Sequence, residues 1–133
     1  MRYLLDTNVI IDIPRGNENV VQRYQIETIK KNKIFICPIV YYEVIRGFKI
    51  GGATKKLENF LQLYKNWTML TFDEDVSEKA ADLYEELHNG QTTEDNDLYI
   101  AANAMVNGCT LVTANARHFG RVKGLNFVNW RVS

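Results

Sequence analysis

Tyr3-Leu4-Leu5-Asp6-Thr7-Asn8 is the stretch on which the fold of this chain turns. Three apolar residues run without interruption and stop at an acid, and a helix-like pattern follows in Val9 to Ile13. Short apolar runs of this kind read as strands buried on both faces, the mark of a parallel sheet. Asp6 then stands at the carboxyl end of a central strand, the edge where open α/β sheets gather their ligands. A carboxylate is costly to bury alone, so Asp6 requires a cation, a set of hydrogen-bond donors or water.

Outward from this stretch, strand and helix patterns alternate. The helix over Val9 to Ile13 is expected to stop at Pro14 and Gly16. Asn19 to Lys31 has helical spacing, and Ile34 to Cys37 reads as a second short buried strand. Pro38 suits the first turn of a helix that runs through Tyr42, Glu43 and Ile45, with Gly47 as its end. Leu57 to Tyr64 repeats apolar residues at three- and four-residue spacing, and Thr68 to Phe72 is a candidate third strand. Val76 to Leu87 is amphipathic and closed by Asn89-Gly90; Leu98 to Met105 is alanine-rich and closed by Asn107-Gly108. Thr110 to Thr113 is the fourth strand, and Asn126 to Trp130 a fifth at an edge. The alternation predicts βαβ units. The expected fold is a single α/β domain over residues 1–133, with a central parallel sheet of about four or five strands flanked by helices.

Composition narrows the function classes. A chain of 133 residues is large enough for one domain with a substantial core. Acids and bases balance at 16 each, so there is no overall basic footprint, and a polyanionic partner must be met by local Lys and Arg clusters. No apolar run approaches the roughly 20 residues of a membrane span. The first apolar run is too short for a signal peptide and ends in Asp6. Cys37 and Cys109 lie far apart, form no CxxC, and read as buried free thiols. These features together suggest a cytoplasmic protein that does not enter a membrane.

Three acids share one topological role. Asp6 follows the first strand, Glu43 lies on the helix after the second, and Asp97 opens the helix that feeds the fourth. Strand ends and helix starts of a parallel sheet collect at one edge, so the three can converge there. Asp97 also gains roughly 0.3–1 kcal/mol from the helix dipole. Clustered carboxylates repel, and one of them has its pKa raised unless a cation intervenes. Hard oxygen donors without nearby Cys or His suit Mg²⁺ or Mn²⁺ rather than Zn²⁺. Phosphoryl transfer and phosphodiester hydrolysis are the chemistry such sites most often serve.

In this order and spacing, Tyr3 to Asn8, Tyr42-Glu43-Val44-Ile45-Arg46-Gly47, Asp97-Leu98-Tyr99-Ile100-Ala101-Ala102 and Leu111-Val112-Thr113-Ala114-Asn115 carry a resemblance. The tail from His118-Phe119 through Gly124-Leu125 to Trp130 extends it. The chain resembles the PIN-domain ribonucleases, specifically the VapC-type toxins of toxin–antitoxin pairs. The resemblance implies Asp6, Glu43 and Asp97 as metal-binding acids, holding one or two Mg²⁺ or Mn²⁺ ions. It implies an endoribonuclease that cuts structured RNA, a tRNA or a ribosomal RNA loop, through a metal-activated water. It also implies growth arrest, a homodimer, and a VapB-type antitoxin whose tail lies in a groove and places a basic side chain in the acidic site. The helices around residues 19–31 and 53–65 are candidate walls of that groove. Many PIN domains carry a fourth acid where this chain has Asn115, which offers a carbonyl oxygen but no charge; many VapC-type chains share the Asn.

Each residue also has a plainer role open to it. Asp6 could cap the next helix, Glu43 could pair with Arg46, and Asp97 could serve only the helix dipole. Asp95 is a candidate cap or ligand of second rank. Thr7 and Thr113 are candidate partners for a carboxylate or water, and Asn8 for orienting Asp6. His118, alone beside Phe119, is set aside as structural. Tyr24, Tyr41, Tyr42 and Tyr84 fall at helical spacing, as core or interface residues do. Lys30, Lys31 and Lys33 read as a solvated helix end. Arg46 and Lys49, with Lys55 and Lys56, and Arg117, with Arg121 and Lys123, are candidate phosphate contacts flanking the acids. A metal-dependent phosphatase and an inactive binding module are the alternative readings. The haloacid-dehalogenase pattern expects a second Asp where Asn8 stands, which weakens the first; the intact acids weigh against the second.

Overall fold

The computed structural model describes residues 1–87 and 94–132. The described residues contain β1 (Arg2–Leu5), α1 (Thr7–Arg15), α2 (Glu18–Ile29), β2 (Lys33–Ile36), α3 (Pro38–Ile50) and α4 (Thr54–Tyr64). After these come β3 (Thr68–Met69), α5 (Glu74–Leu87), α6 (Asp95–Val106), β4 (Thr110–Val112), α7 (Ala116–Phe119) and β5 (Phe127–Val128). The five strands form one sheet in the order β3-β2-β1-β4-β5. Every neighbouring pair is parallel. Tyr3 at the centre is opposite Ile34 on one side and Thr110 on the other.

The apolar run in β1 behaves as its composition requires. Successive strand residues point to opposite faces, and Tyr3, Leu4 and Leu5 are all buried, so both faces of the sheet are covered. Ile34, Phe35 and Ile36 of β2 and Leu111 and Val112 of β4 repeat this. Ala101, Ala102 and Ala104 are fully buried in α6, where small side chains allow close packing. Both cysteines are buried free thiols. Trp130, past β5, is buried edge-on against the Tyr3 ring, and Arg131 closes the tail onto the buried Asp12 of α1.

Several boundaries differ from the sequence reading. Helix α1 starts at Thr7 rather than Val9, because Asp6 caps it, and it continues past Pro14 to Arg15. Pro14 lies in the last turn, where only one intrahelical donor is lost. Gly16, at φ 79°, then closes the helix by donating to Asp12 and Ile13 carbonyls, a left-handed geometry that glycine adopts without strain. Helix α3 passes through Gly47 and ends at Ile50. β3 is only Thr68–Met69, and β5 only Phe127–Val128. Both edge strands last only as long as a neighbour's ladder is within reach: Leu70 makes one further bond to Ile36, where β2 itself ends. Helix α6 starts at Asp95, so Asp97 sits inside its first turn. The short helix α7 has no counterpart in the sequence pattern. The expected stop at Asn89-Gly90 lies outside the described residues.

Candidate active site

Asp6 is fixed by three hydrogen bonds where β1 meets β4. Its N–H donates to the Val112 carbonyl at 2.9 Å. Its Oδ1 accepts from the Thr7 N–H at 2.8 Å, and its Oδ2 from the Thr113 hydroxyl at 2.8 Å. The capping role and the acid-site role therefore coexist in one side chain, which is only 6% exposed. Thr113 Oγ1 in turn accepts from the Asn115 N–H at 3.0 Å. Asn8 Oδ1 accepts from the Ala114 N–H at 3.3 Å, tying the start of α1 to the same turn after β4.

Glu43 comes to this edge on α3, which packs against α1 and α6. Its Oε1 accepts from the Thr7 hydroxyl at 3.0 Å, so Thr7 bridges Asp6 and Glu43 through its backbone and side chain. Glu43 does not pair with Arg46. The Arg46 guanidinium instead lies 5.0 Å from the Tyr42 ring centroid, with Nη1 donating to the Tyr42 hydroxyl at 3.4 Å. Asp97 arrives in the first turn of α6, and its Oδ2 is 2.8 Å from His118 Nε2. That Nε2 is buried and the contact is not aligned as a hydrogen bond, so the pair is best described as electrostatic.

The charges respond to one another. Burial pushes the Asp6 carboxyl above the usual carboxylate range. The bonds from Thr113 and Thr7 oppose that rise, and the negative charges of Asp97 and Glu43 add to it. Burial likewise raises the Asp97 carboxyl, His118 opposes the rise, and Glu94 and Glu43 reinforce it. Asp6, Glu43 and Asp97 thus share one field. Among the described residues, no three His, Cys, Asp or Glu side chains stand close enough to cage an ion by themselves. Mg²⁺ does not need such a cage, because it takes one or two carboxylates and keeps several waters. An oxygen-only donor set in which burial and repulsion penalise ionisation of Asp6 and Asp97 fits a hard divalent cation.

The remaining candidates separate clearly. Thr7 and Thr113 touch the acids directly. Asn115 reaches them only through its backbone, and its side chain is exposed. Asp95 is the first residue of α6, after the cap residue Glu94, and it lines a cleft between α5 and α6 with Tyr84 and Tyr99. Arg46 and Lys49 are exposed on α3 and Arg117 on α7. His118 is the residue that sequence reasoning missed. It does pack edge-on against Phe119, but it also faces Asp97. The only available signal was its place three residues beyond Asn115.

The family model described as PIN domain matches residues 3–125. The chain belongs to the PIN-domain family. Relatives include ribonuclease VapC2 of Rickettsia felis, 32% identical over 136 residues that cover 98% of each chain. Ribonuclease VapC1 of Methanocaldococcus jannaschii is 30% identical over 123 residues, covering 92% of this PIN domain and 82% of the relative. Among solved structures, VapBC2 from Rickettsia felis bound to a DNA fragment from its promoter superposes with a TM-score of 0.86 at 27% identity, over 98% of this chain and 99% of that one. FitAcB from Neisseria gonorrhoeae gives a TM-score of 0.83 at 26% identity, over 98% and 99%.

Proposed function

We propose that this PIN domain is a metal-dependent endoribonuclease, the VapC-type toxin of a type II toxin–antitoxin pair. One observation carries the reading. A buried Asp6, oriented by Thr7 and Thr113 at the carboxyl edge of the sheet, shares one electrostatic field with Glu43 and Asp97. The relatives named ribonuclease VapC support the same activity.

Asp6 and Asp97, with Glu43, hold Mg²⁺ or Mn²⁺. When bound, the ion supplies Lewis acidity toward the phosphate and lowers the pKa of water. The protein's own part is orientation. Thr113 and the Thr7 N–H fix both oxygens of Asp6, and the Thr7 hydroxyl holds Glu43 beside it. His118 holds Asp97. Arg46, Lys49 and Arg117 stand exposed on the elements that carry the acids and offset the repulsion between RNA phosphates and carboxylates. In-line attack by water leaves a 5′-phosphate and a 3′-hydroxyl. The substrate is structured RNA, a tRNA or a ribosomal RNA loop. The partners are a second copy of the chain and a VapB-type antitoxin, the antitoxin being supported by the VapBC complexes among the similar structures. The protein acts in the cytoplasm. No helix among the described residues is long and apolar enough to cross a membrane.

The phosphatase alternative loses ground on Asn8. Its side chain accepts from the Ala114 N–H and serves the backbone at the position where that chemistry expects a second acid. The test is cleavage of total cellular RNA with sequenced 5′ ends, using wild type and Asp6→Ala, with Mg²⁺ or Mn²⁺ and with EDTA. Discrete cuts that need both the metal and Asp6 are expected. Absence of cuts from folded wild type with metal refutes the proposal.

A further inference from the structure

Tyr42 and Arg46 form a cation–π pair of which the proposed chemistry uses only the charge of Arg46. Tyr42 is 56% exposed although it is a large aromatic on a helix whose other face is buried. The Arg46 guanidinium lies over its ring at 5.0 Å. Residues three and four apart on a helix are surface neighbours. Arg46 is therefore next to both Tyr42 and Glu43, and the pair borders the acid cluster within one helical turn. Among the described residues, neither Arg46 nor Lys49 has a carboxylate in ion-pair contact, so this flank keeps its positive charge.

We infer that the Tyr42–Arg46 pair is a nucleobase-stacking subsite, which receives one unpaired base beside the phosphate that is cut. This rests on the ribonuclease reading and adds a determinant of which RNA is recognised. Unpaired bases in RNA loops are bound by stacking on aromatic rings and on guanidinium planes, and the pair presents both. The unpaired positive charge of Arg46 and Lys49 favours an RNA strand as the occupant. The same charge explains how a chain with balanced acids and bases can meet a polyanion at one place.

The test uses a short RNA hairpin cut from the sequence around a mapped cleavage site. Each loop nucleotide is replaced in turn by an abasic one, and kcat/KM is measured for wild type, Tyr42→Leu, Tyr42→Trp and Arg46→Lys. One abasic position flanking the cut is expected to cost wild type about 10-fold, within the range for loss of one stacked base. Tyr42→Leu is expected to cost about the same on the intact hairpin. Combined, the two changes cost about 10-fold rather than about 100-fold, because they remove one shared contact. Tyr42→Trp retains the base dependence, and Arg46→Lys weakens it while keeping the salt dependence of binding. A merely structural Tyr42 does not couple to one base, so additive losses at every position overturn the inference. Cleavage by Tyr42→Leu at the wild-type rate also overturns it. If that variant also changes oligomeric mass by light scattering, the face is a protein interface instead. Wild type that cuts no RNA removes the ribonuclease reading and this inference together.

Discussion

Thr113→Val tests the central claim that Asp6 is held as an oriented acid by its hydrogen bonds. The side chain of Thr113 is fully buried, and its hydroxyl donates to Asp6 Oδ2 at 2.8 Å while accepting from the Asn115 N–H. Valine nearly preserves shape but removes the hydroxyl, so the swap is not a neutral one. A hydrogen bond to a charged group contributes about 1.5–3 kcal/mol, and the buried carboxylate oxygen is left without that donor. The Asn115 N–H adds little, because the residue is exposed and can find water. For a domain of this size, each kcal/mol shifts Tm by roughly 3–5 °C, which gives a loss of roughly 5–15 °C. The loss also depends on pH in a definite direction. The Thr113 bond lowers the Asp6 pKa, so its removal raises a pKa that burial has already raised. The penalty is then greatest where Asp6 is ionised and shrinks to the value of a neutral hydrogen bond, about 1 kcal/mol, as Asp6 protonates. Urea unfolding of both proteins in EDTA, from pH 7.5 downward, reads both effects. A difference below about 0.5 kcal/mol at pH 7.5, or one that does not change with pH, refutes the reasoning.

Other expectations concern charge and burial. Asp6 and Asp97 have folded pKa values above their unfolded ones, so the folded state binds more protons and their contribution to stability falls as pH rises through that interval. Asp6→Asn in EDTA removes the Asp6 share of this slope, and Mn²⁺ flattens the wild-type slope; a slope unchanged by either contradicts the shared field. Arg131→Ala leaves the Asp12 carboxylate buried without its pair. Because Arg131 is itself 41% exposed, the cost is discounted to about 1–2 kcal/mol, measurable by thermal unfolding. Cys37 is fully buried, and burial pushes its thiol up to about 12. Alkylation of native protein at pH 8 should spare Cys37 and label it only after unfolding; prompt labelling contradicts the placement.

The parts of the fold legible in the sequence were those decided by composition alone. Leu4, Ile36 and Leu111 belong to apolar runs with no polar side to show, and only strands covered on both faces have that pattern. The edge strands are shorter than their apolar patterns suggest because their length depends on a neighbour's ladder, which local sequence does not encode. Helix α1 starts two residues before its apolar pattern does, because the Asp6 cap outweighs the weak helix propensity of Thr7 and Asn8. Gly47 suggested an end to α3 but sits in open space on a helix held by its buried face. The convergence of Asp6, Glu43 and Asp97 followed from topology, because strand ends and helix starts share one edge. His118 was illegible because its approach to Asp97 depends on α7, a four-residue helix with no period to detect.

The seam between β1 and β4 also fixes an order in time. Asp6 and Thr113 are 107 residues apart, and Asp97 and His118 are likewise late in synthesis. The first half of the chain can pair β1 with β2 by a local crossover, but at that stage Asp6 lacks Thr113 and its backbone bond to Val112. Contacts this distant in sequence form slowly, because the intervening loop must close first. A growing chain therefore carries Asp6 through most of its synthesis without the groups that orient it. The orientation of Asp6 is complete only when β4 lies beside β1, so the last third of the chain sets the geometry of an acid placed near its start.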